Sequence, residues 1–280
     1  MISRFPNLKR QYWKLVPAYA SSTVAGFRER ELFKEIESYC MFVGYPRSGH
    51  SLVGSLLDAH PDVVIAHELD ALGFLQARFS RSQLFALIMN NSRQIAARGR
   101  VQTGYNYVVP ESWQGRARRL RVIGDKRGRR SGARLQRHPE LLDRLLEAVR
   151  LPTRFVHVVR NPYDNISTMS KRGKITLEQA RDTYFSLCDS VMYVKSRTQA
   201  GTVLDLRHES LIADPKATLK ELCSFVDVDP IEEFLDGCAS IVFDSPHQSR
   251  LESVWPQALR GDVQRRMGAY PYLAGYDWDH

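Results

Sequence analysis

Short apolar runs alternate along this chain with longer stretches in which apolar residues recur every three or four positions. The runs are Met41–Val43, Val63–Ala66, Val122–Gly124, Phe155–Val159 and Val203–Leu206. Apolar side chains on successive residues belong to strands covered on both faces, the habit of a parallel sheet. Between the runs, the 3.6-residue period predicts helices from Leu52, over 70–98, over 139–150, over 176–197 and from Pro215 to Phe225. The 139–150 stretch is the clearest, with Leu141, Leu142, Leu145, Leu146 and Val149 on one face behind Pro139. His60-Pro61-Asp62 stops the first of these helices. Residues 1–38 are basic and aromatic and then amphipathic, with Phe27, Leu32, Phe33 and Ile36 at helical spacing; they read as an arm and a helix. Residues 244–280 read as a loop-rich aromatic tail with one helix from Asp262. The alternation predicts an α/β fold with a doubly wound parallel sheet and its ligand at the carboxyl ends of the strands. No repeat or linker divides the chain, so 1–280 is expected to be a single domain.

Charge adds a partner to this picture. A formal net charge of +9 calls for something anionic: nucleic acid, an anionic membrane face or a phosphorylated small ligand. Residues 99–134 gather glycine, aromatics and the arginines Arg116, Arg118, Arg119, Arg121, Arg127, Arg129, Arg130 and Arg134. They read as surface loops around the short strand at Val122, a solvated face that could also guide an anionic substrate. The four cysteines, Cys40, Cys188, Cys223 and Cys238, form no C-x-x-C pair and read as buried free thiols. No signal-peptide core and no apolar run of membrane-span length are present, so a soluble, cytoplasmic protein is expected.

The chemistry concentrates at the ends of the strands. After Val43 comes Gly44-Tyr45-Pro46-Arg47-Ser48-Gly49-His50-Ser51, a glycine-bearing loop leading into a helix. Strand, loop and helix N-terminus together place backbone N–H groups around a phosphate. The glycines stand as in the nucleotide-binding P-loop, G-x-x-x-x-G-K-[ST], which makes the predicted sheet one of P-loop nucleoside-triphosphate-hydrolase type. The lysine slot holds His50, however, and the basic residue sits inside the loop as Arg47. That argues against ordinary ATP or GTP hydrolysis. A second anion site follows the strand at 155–159: Arg160-Asn161-Pro162-Tyr163-Asp164, with hydroxyls at Ser167 and Thr168. A guanidinium fork beside hydroxyl donors suits a phosphate monoester. Lys126, at another strand end, suits a leaving phosphate or a transferring group. Glu68, after the second strand, is the candidate general base, with His67 as its rival and His50 behind it.

These segments together resemble the sulfotransferases that use 3′-phosphoadenosine 5′-phosphosulfate (PAPS). Tyr45–Ser51 is similar to that family's 5′-phosphosulfate loop, except that His50 replaces the first of two hydroxyl residues. Arg160–Thr168 looks like its 3′-phosphate motif, R-N-P-x-D-x-x-x-S, with Thr168 in the serine slot and Ser167 beside it. Leu57–Val63 leading to Glu68 resembles the L-x-x-H-P-x-V stretch of the tyrosylprotein and carbohydrate branches, and Ser253-Val254-Trp255 resembles their tail. Arg207–Pro215 is similar to the family's Y-E-x-L-x-x-D-P element, with His208 where tyrosine is usual.

The resemblance implies transfer of a sulfuryl group from PAPS to a hydroxyl of a carbohydrate, small molecule or peptide tyrosine. It casts Arg47, Ser48, Gly49, His50, Ser51, Arg160, Ser167, Thr168 and His208 as donor contacts, and Glu68, Arg47, Lys126 and Ser253 as the catalytic set. No metal is expected, because no lysine–serine pair closes the loop and no Walker-B aspartate follows. Nucleic acid is not expected as a partner. Two other readings stand beside this one. The first is a P-loop kinase-like phosphotransferase using Lys126, and the second a non-enzymatic anion or nucleic-acid binder using the basic 116–134 stretch.

Overall fold

The protein is described by a computed structural model over residues 6–102 and 104–279. Its centre is a sheet of five parallel strands in the order β2-β5-β1-β6-β7. These are β1 (Ser38–Val43), β2 (Val63–His67), β5 (Val122–Lys126), β6 (Thr153–Val159) and β7 (Val203–Arg207). A separate antiparallel pair, β3 (Val101–Gln102) and β4 (Tyr105–Asn106), makes a small ribbon. Successive side chains of a strand face opposite sides, and here both sides are covered. Tyr39, Met41 and Val43 of β1 pack with helices Arg81–Ala97 and Glu140–Val149, whereas Cys40 and Phe42 pack with His50–Leu57, Pro215–Val226 and Glu232–Ala239. That double burial is why the strands read as unbroken apolar runs. Gly124 is required in β5: a Cβ there would collide with the Cys40 carbonyl. A third cluster joins helices Pro162–Gly173 and Leu177–Arg197 to the tail helix Gln257–Met267 and Tyr270, Tyr272 and Tyr276.

Several elements differ from the periodicity. The helix expected over 70–98 is two, Ala71–Gln76 and Arg81–Ala97. Arg78 turns the chain with φ 69°, and Ser80 restarts it with a capping box to Gln83. The arginine-rich region contains a helix, Gly128–Arg137, that was expected to be loop. Gly128 and Gly132 weaken its helical pattern, but Gly132 is what lets it close on Leu187. The N-terminal helix runs Pro6–Arg28 and gives way to a 3₁₀ turn at Leu32–Lys34. Phe33 and Ile36 are buried by that turn, while Phe27 points outward at 71% exposure, so these residues do not share one helix face. The first five residues of the expected arm lie outside the described residues. The tail helix begins at Gln257, five residues before the expected Asp262, because Gly261 masks an otherwise continuous pattern. The four cysteines are free and buried, as expected.

Candidate active site

Because the five strands are parallel, their carboxyl ends share one edge of the sheet, and each contributes a residue to it. The central strand β1 delivers the loop Gly44–Gly49. On one side lie Lys126, the last residue of β5, and Glu68, the residue after β2; His67 and Lys126 are register partners. On the other side lie Arg160, just past β6, and His208, just past β7. Two groups of charged residues therefore flank one phosphate-type loop.

The loop owes its shape to three positive-φ residues, Gly44 (119°), Arg47 (69°) and Gly49 (97°), the last being the N-cap of the helix His50–Leu57. Left-handed residues interleaved with others turn successive N–H groups to one side, and the helix adds its unpaired first-turn donors. Arg47 has a Cβ and still adopts this conformation, the kind of local strain that accompanies ligand-binding loops. Gly49 has no room for a side chain, since a Cβ would run into the His208 ring. Ser48 is buried, its hydroxyl donating to the Tyr45 carbonyl at 3.3 Å and lying 3.3 Å from His50 Nδ1.

The β2–β5 side is a tight ionic cluster. Lys126, 1% exposed, donates from Nζ to Glu68 Oε1 at 2.8 Å and to Ser51 Oγ at 3.0 Å, and reaches His67 Nε2 at 3.3 Å. His50 Nε2 lies 3.6 Å from the same carboxylate oxygen. Arg127 donates to the Glu68 carbonyl at 2.5 Å. Burial alone would raise the Glu68 carboxyl, but the His50 and Lys126 contacts outweigh it and hold it well below the usual range. Burial pulls Lys126 below the ordinary lysine value, with Glu68 opposing. His67 is pushed down to about 3 by burial and then by Lys126, so it is neutral near neutral pH. Glu68 itself has φ 57°. That turn is fixed by Asp125, a fully buried carboxylate accepting from the Leu69 and Ala71 amides at 3.2 and 2.8 Å. Burial raises Asp125 to about 6, partly countered by those two amides. Gly54 leaves space for the lysine stem, which a Cβ would meet at 2.7 Å.

The β6–β7 side is built around Arg160, which is 7% exposed. One nitrogen donates to the Arg47 carbonyl at 3.2 Å and approaches Thr168 Oγ1 at 3.5 Å; the other donates to the His247 carbonyl and lies 3.4 Å from Ser249 Oγ. Thr168 and Ser249 are joined hydroxyl to hydroxyl at 2.9 Å. Arg160 Nε and His208 Nδ1 are buried polar atoms with no hydrogen-bond partner among the described residues. A cation, two hydroxyls and unpartnered nitrogens form a donor set that fits a phosphate. Burial, then the Arg160 charge, lowers His208 to about 4.

Arg47, Ser48, Gly49, His50, Ser51, Glu68 and Lys126 are thus brought together, and Arg160, Thr168 and His208 form the second group. Ser167 stands apart: its buried hydroxyl accepts from Trp255 Nε1 at 2.9 Å. Ser253 follows the 3₁₀ turn Ser249–Glu252 and is partly buried, with no side-chain hydrogen bond to either group among the described residues. Sequence reasoning missed Arg127, Asp125 and Ser249. The tail carries no period to reveal Ser249; it is held in place by Arg250, whose amide and guanidinium both bind buried Asp164, at 2.8 and 2.5 Å.

A parallel α/β sheet with a phosphate-type loop, a buried lysine paired with a solvent-facing carboxylate on one side and an arginine–hydroxyl site on the other defines a group-transfer enzyme for a donor with two anionic ends. The Sulfotransferase family model matches residues 41–233, and the chain belongs to that family. It is accordingly a PAPS-dependent sulfotransferase. Among solved structures, the sulfotransferase domain of the olefin synthase from Synechococcus PCC 7002 is 18% identical, with a TM-score of 0.53 over 84% of this chain and 95% of that one. The sulfotransferase domain from the curacin biosynthetic pathway is also 18% identical, with a TM-score of 0.52 over 84% of this chain and 98% of that one. These two likenesses are of fold. Comparison with curated proteins gives no significant match.

Proposed function

We propose that the two flanking groups divide the work of sulfuryl transfer, with Glu68 as the base and Arg160 as the anchor of the donor's 3′-phosphate. The observation that carries this reading is the spacing along the sheet edge: one loop at β1, the Glu68 carboxylate two strands to one side and the Arg160 donor set one strand to the other. The loop N–H groups, Arg47, Ser48 and Ser51 would hold the 5′-phosphosulfate, and Arg160, Thr168 and His208 the 3′-phosphate. PAPS supplies the activated sulfuryl group. Lys126 and Arg47 offset the negative charge that builds on the bridging oxygen. Glu68 takes the acceptor's hydroxyl proton as its oxygen bonds to sulfur, and the electron pair of the broken S–O bond leaves on the 5′-phosphate. The products are a sulfate ester and adenosine 3′,5′-bisphosphate. Ser253 and Ser167 are assigned to supporting roles, in the tail and beneath the 3′-phosphate site.

The acceptor is a hydroxyl of a carbohydrate, small molecule or peptide tyrosine, which the exposed side of Glu68 faces from solvent. Residues 1–280 act as a single domain in which the tail completes the 3′-phosphate site. Four unpaired thiols are consistent with a reducing, cytoplasmic setting. A basic nucleic-acid face is not favoured, because five of the eight arginines between 116 and 134 are engaged in ion pairs: Arg118 with Asp62, Arg119 and Arg121 with Glu37, Arg127 with Glu68 and Arg134 with Asp70.

Glu68→Gln tests the assignment. It should bind adenosine 3′,5′-bisphosphate like the parent and lose about 10²–10⁴-fold in kcat. Unchanged turnover in the variant would remove Glu68 from the chemistry.

A further inference from the structure

The N-terminal helix Pro6–Arg28 is packed the wrong way round for a helix that only covers a core. Its inner face is small and polar: Ser22 is 3% exposed, and Gly26 is so close to helix Arg81–Ala97 that a Cβ would meet the Ser82 backbone at 3.0 Å. Its outer face carries the larger apolar side chains. Val16, Tyr19, Val24 and Phe27 are 53%, 51%, 60% and 71% exposed. With Ala20 they fall at helical spacing on one stripe. The helix contains Lys9, Arg10, Lys14 and Arg28 and no acidic residue, together with Tyr12 and Trp13. Arg30, just beyond it, stacks its guanidinium 4.3 Å above the Phe27 ring. The stripe is anchored to the body of the protein where Tyr19 meets Phe79 edge-on at 5.1 Å.

A basic helix of low overall hydrophobicity, with aromatic and aliphatic residues on an exposed stripe, is built to lie in the plane of a lipid interface. We propose that this helix is a docking surface for anionic lipid membranes. Val16, Val24 and Phe27 enter the headgroup region while the net positive charge of the helix sequence is attracted to the lipid phosphates. Charge decides between this occupant and a second copy of the chain. Two such helices face to face would oppose cation to cation, whereas an anionic leaflet complements them, each nearby cation adding to the attraction. No helix among the described residues is long and apolar enough to cross a membrane, so the contact is peripheral. The proposal is independent of the assignment of the active site.

The test is co-sedimentation of the full chain with phosphatidylcholine vesicles, with and without about a third phosphatidylglycerol. Parent protein and a Val24→Ser/Phe27→Ser variant are compared at low and high salt. Both substituted side chains are exposed, and an unchanged melting temperature and nucleotide titration establish that the variant is folded. The expected result is binding to the anionic vesicles alone, weakened by salt and reduced about tenfold or more in the variant. Parent protein that stays in the supernatant with anionic vesicles would overturn the proposal, as would a variant that sediments equally well. A parent dimer in sedimentation velocity, dissolved by the two substitutions and indifferent to vesicles, would assign the stripe to chain-to-chain contact instead.

Discussion

Three different polar groups converge on Lys126: a carboxylate, a hydroxyl and an imidazole all lie within 3.3 Å of its Nζ. A buried ammonium of this kind stays charged only while it is well paired. An incoming sulfuryl group would compete with Glu68 for the same nitrogen. Such competition would release the carboxylate toward the acceptor once the donor is in place. Gly54→Ala probes this position without touching a charged group, because the new methyl pushes on the lysine stem at 2.7 Å. We expect kcat to fall about tenfold or more, with adenosine 3′,5′-bisphosphate affinity nearly unchanged, as measured by steady-state kinetics beside calorimetry. At this scale the sequence was informative wherever a residue sits at a strand end. Arg47, Glu68, Lys126 and Arg160 could be picked out because an apolar run stops just before each. Asp125 follows the run Val122–Gly124 directly but belongs to no anion-binding pattern, so its part in holding the Glu68 turn through two backbone amides left no trace in the sequence.

Among the elements, the sheet was legible and the tail was not. Parallel strands buried on both faces leave continuous apolar runs that survive reading without neighbours. The segment Ser249–Glu252 leaves no such trace, because it is fixed by a buried ion pair between Arg250 and Asp164, 5% and 4% exposed, formed across 86 residues. That pair docks Ser249 against Thr168 and Arg160. Asp164→Ala should therefore strip a buried partner from Arg250, costing about 3–5 kcal/mol in urea unfolding. It should also weaken nucleotide binding, because Ser249 is no longer held beside the arginine. The division of 70–98 into two helices was written in the sequence as Ser80 followed by Gln83, a capping signal outweighed by the apolar period around it. The helix Gly128–Arg137 was hidden by its own arginines and glycines, since its helicity depends on packing against Leu187 and not on propensity.

For the molecule as a whole, acid should be destabilising through histidines buried in the neutral form. His208, at about 4 in the folded chain against an ordinary 6.5, binds fewer protons folded than unfolded between those values. Its contribution is thus complete above pH 6.5 and is lost as the pH falls toward 4. Asp58 and Asp125, both raised to about 6 chiefly by burial, act in the opposite sense below that pH, so the histidine is best isolated by difference. His208→Gln should flatten the stability-versus-pH curve between 6.5 and 4 by up to about 1.4 kcal/mol per pH unit, read from urea midpoints. The central claim concerns a larger arrangement, two anion sites on either side of one loop along a single sheet edge. It is tested most directly by calorimetric titration with adenosine 3′,5′-bisphosphate in EDTA, with ATP as comparator and Arg160→Ala alongside. The account predicts tight, metal-independent binding that requires the 3′-phosphate and drops about a hundredfold or more in the variant. Equal affinity for ATP, or a variant that binds as well as the parent, would contradict it.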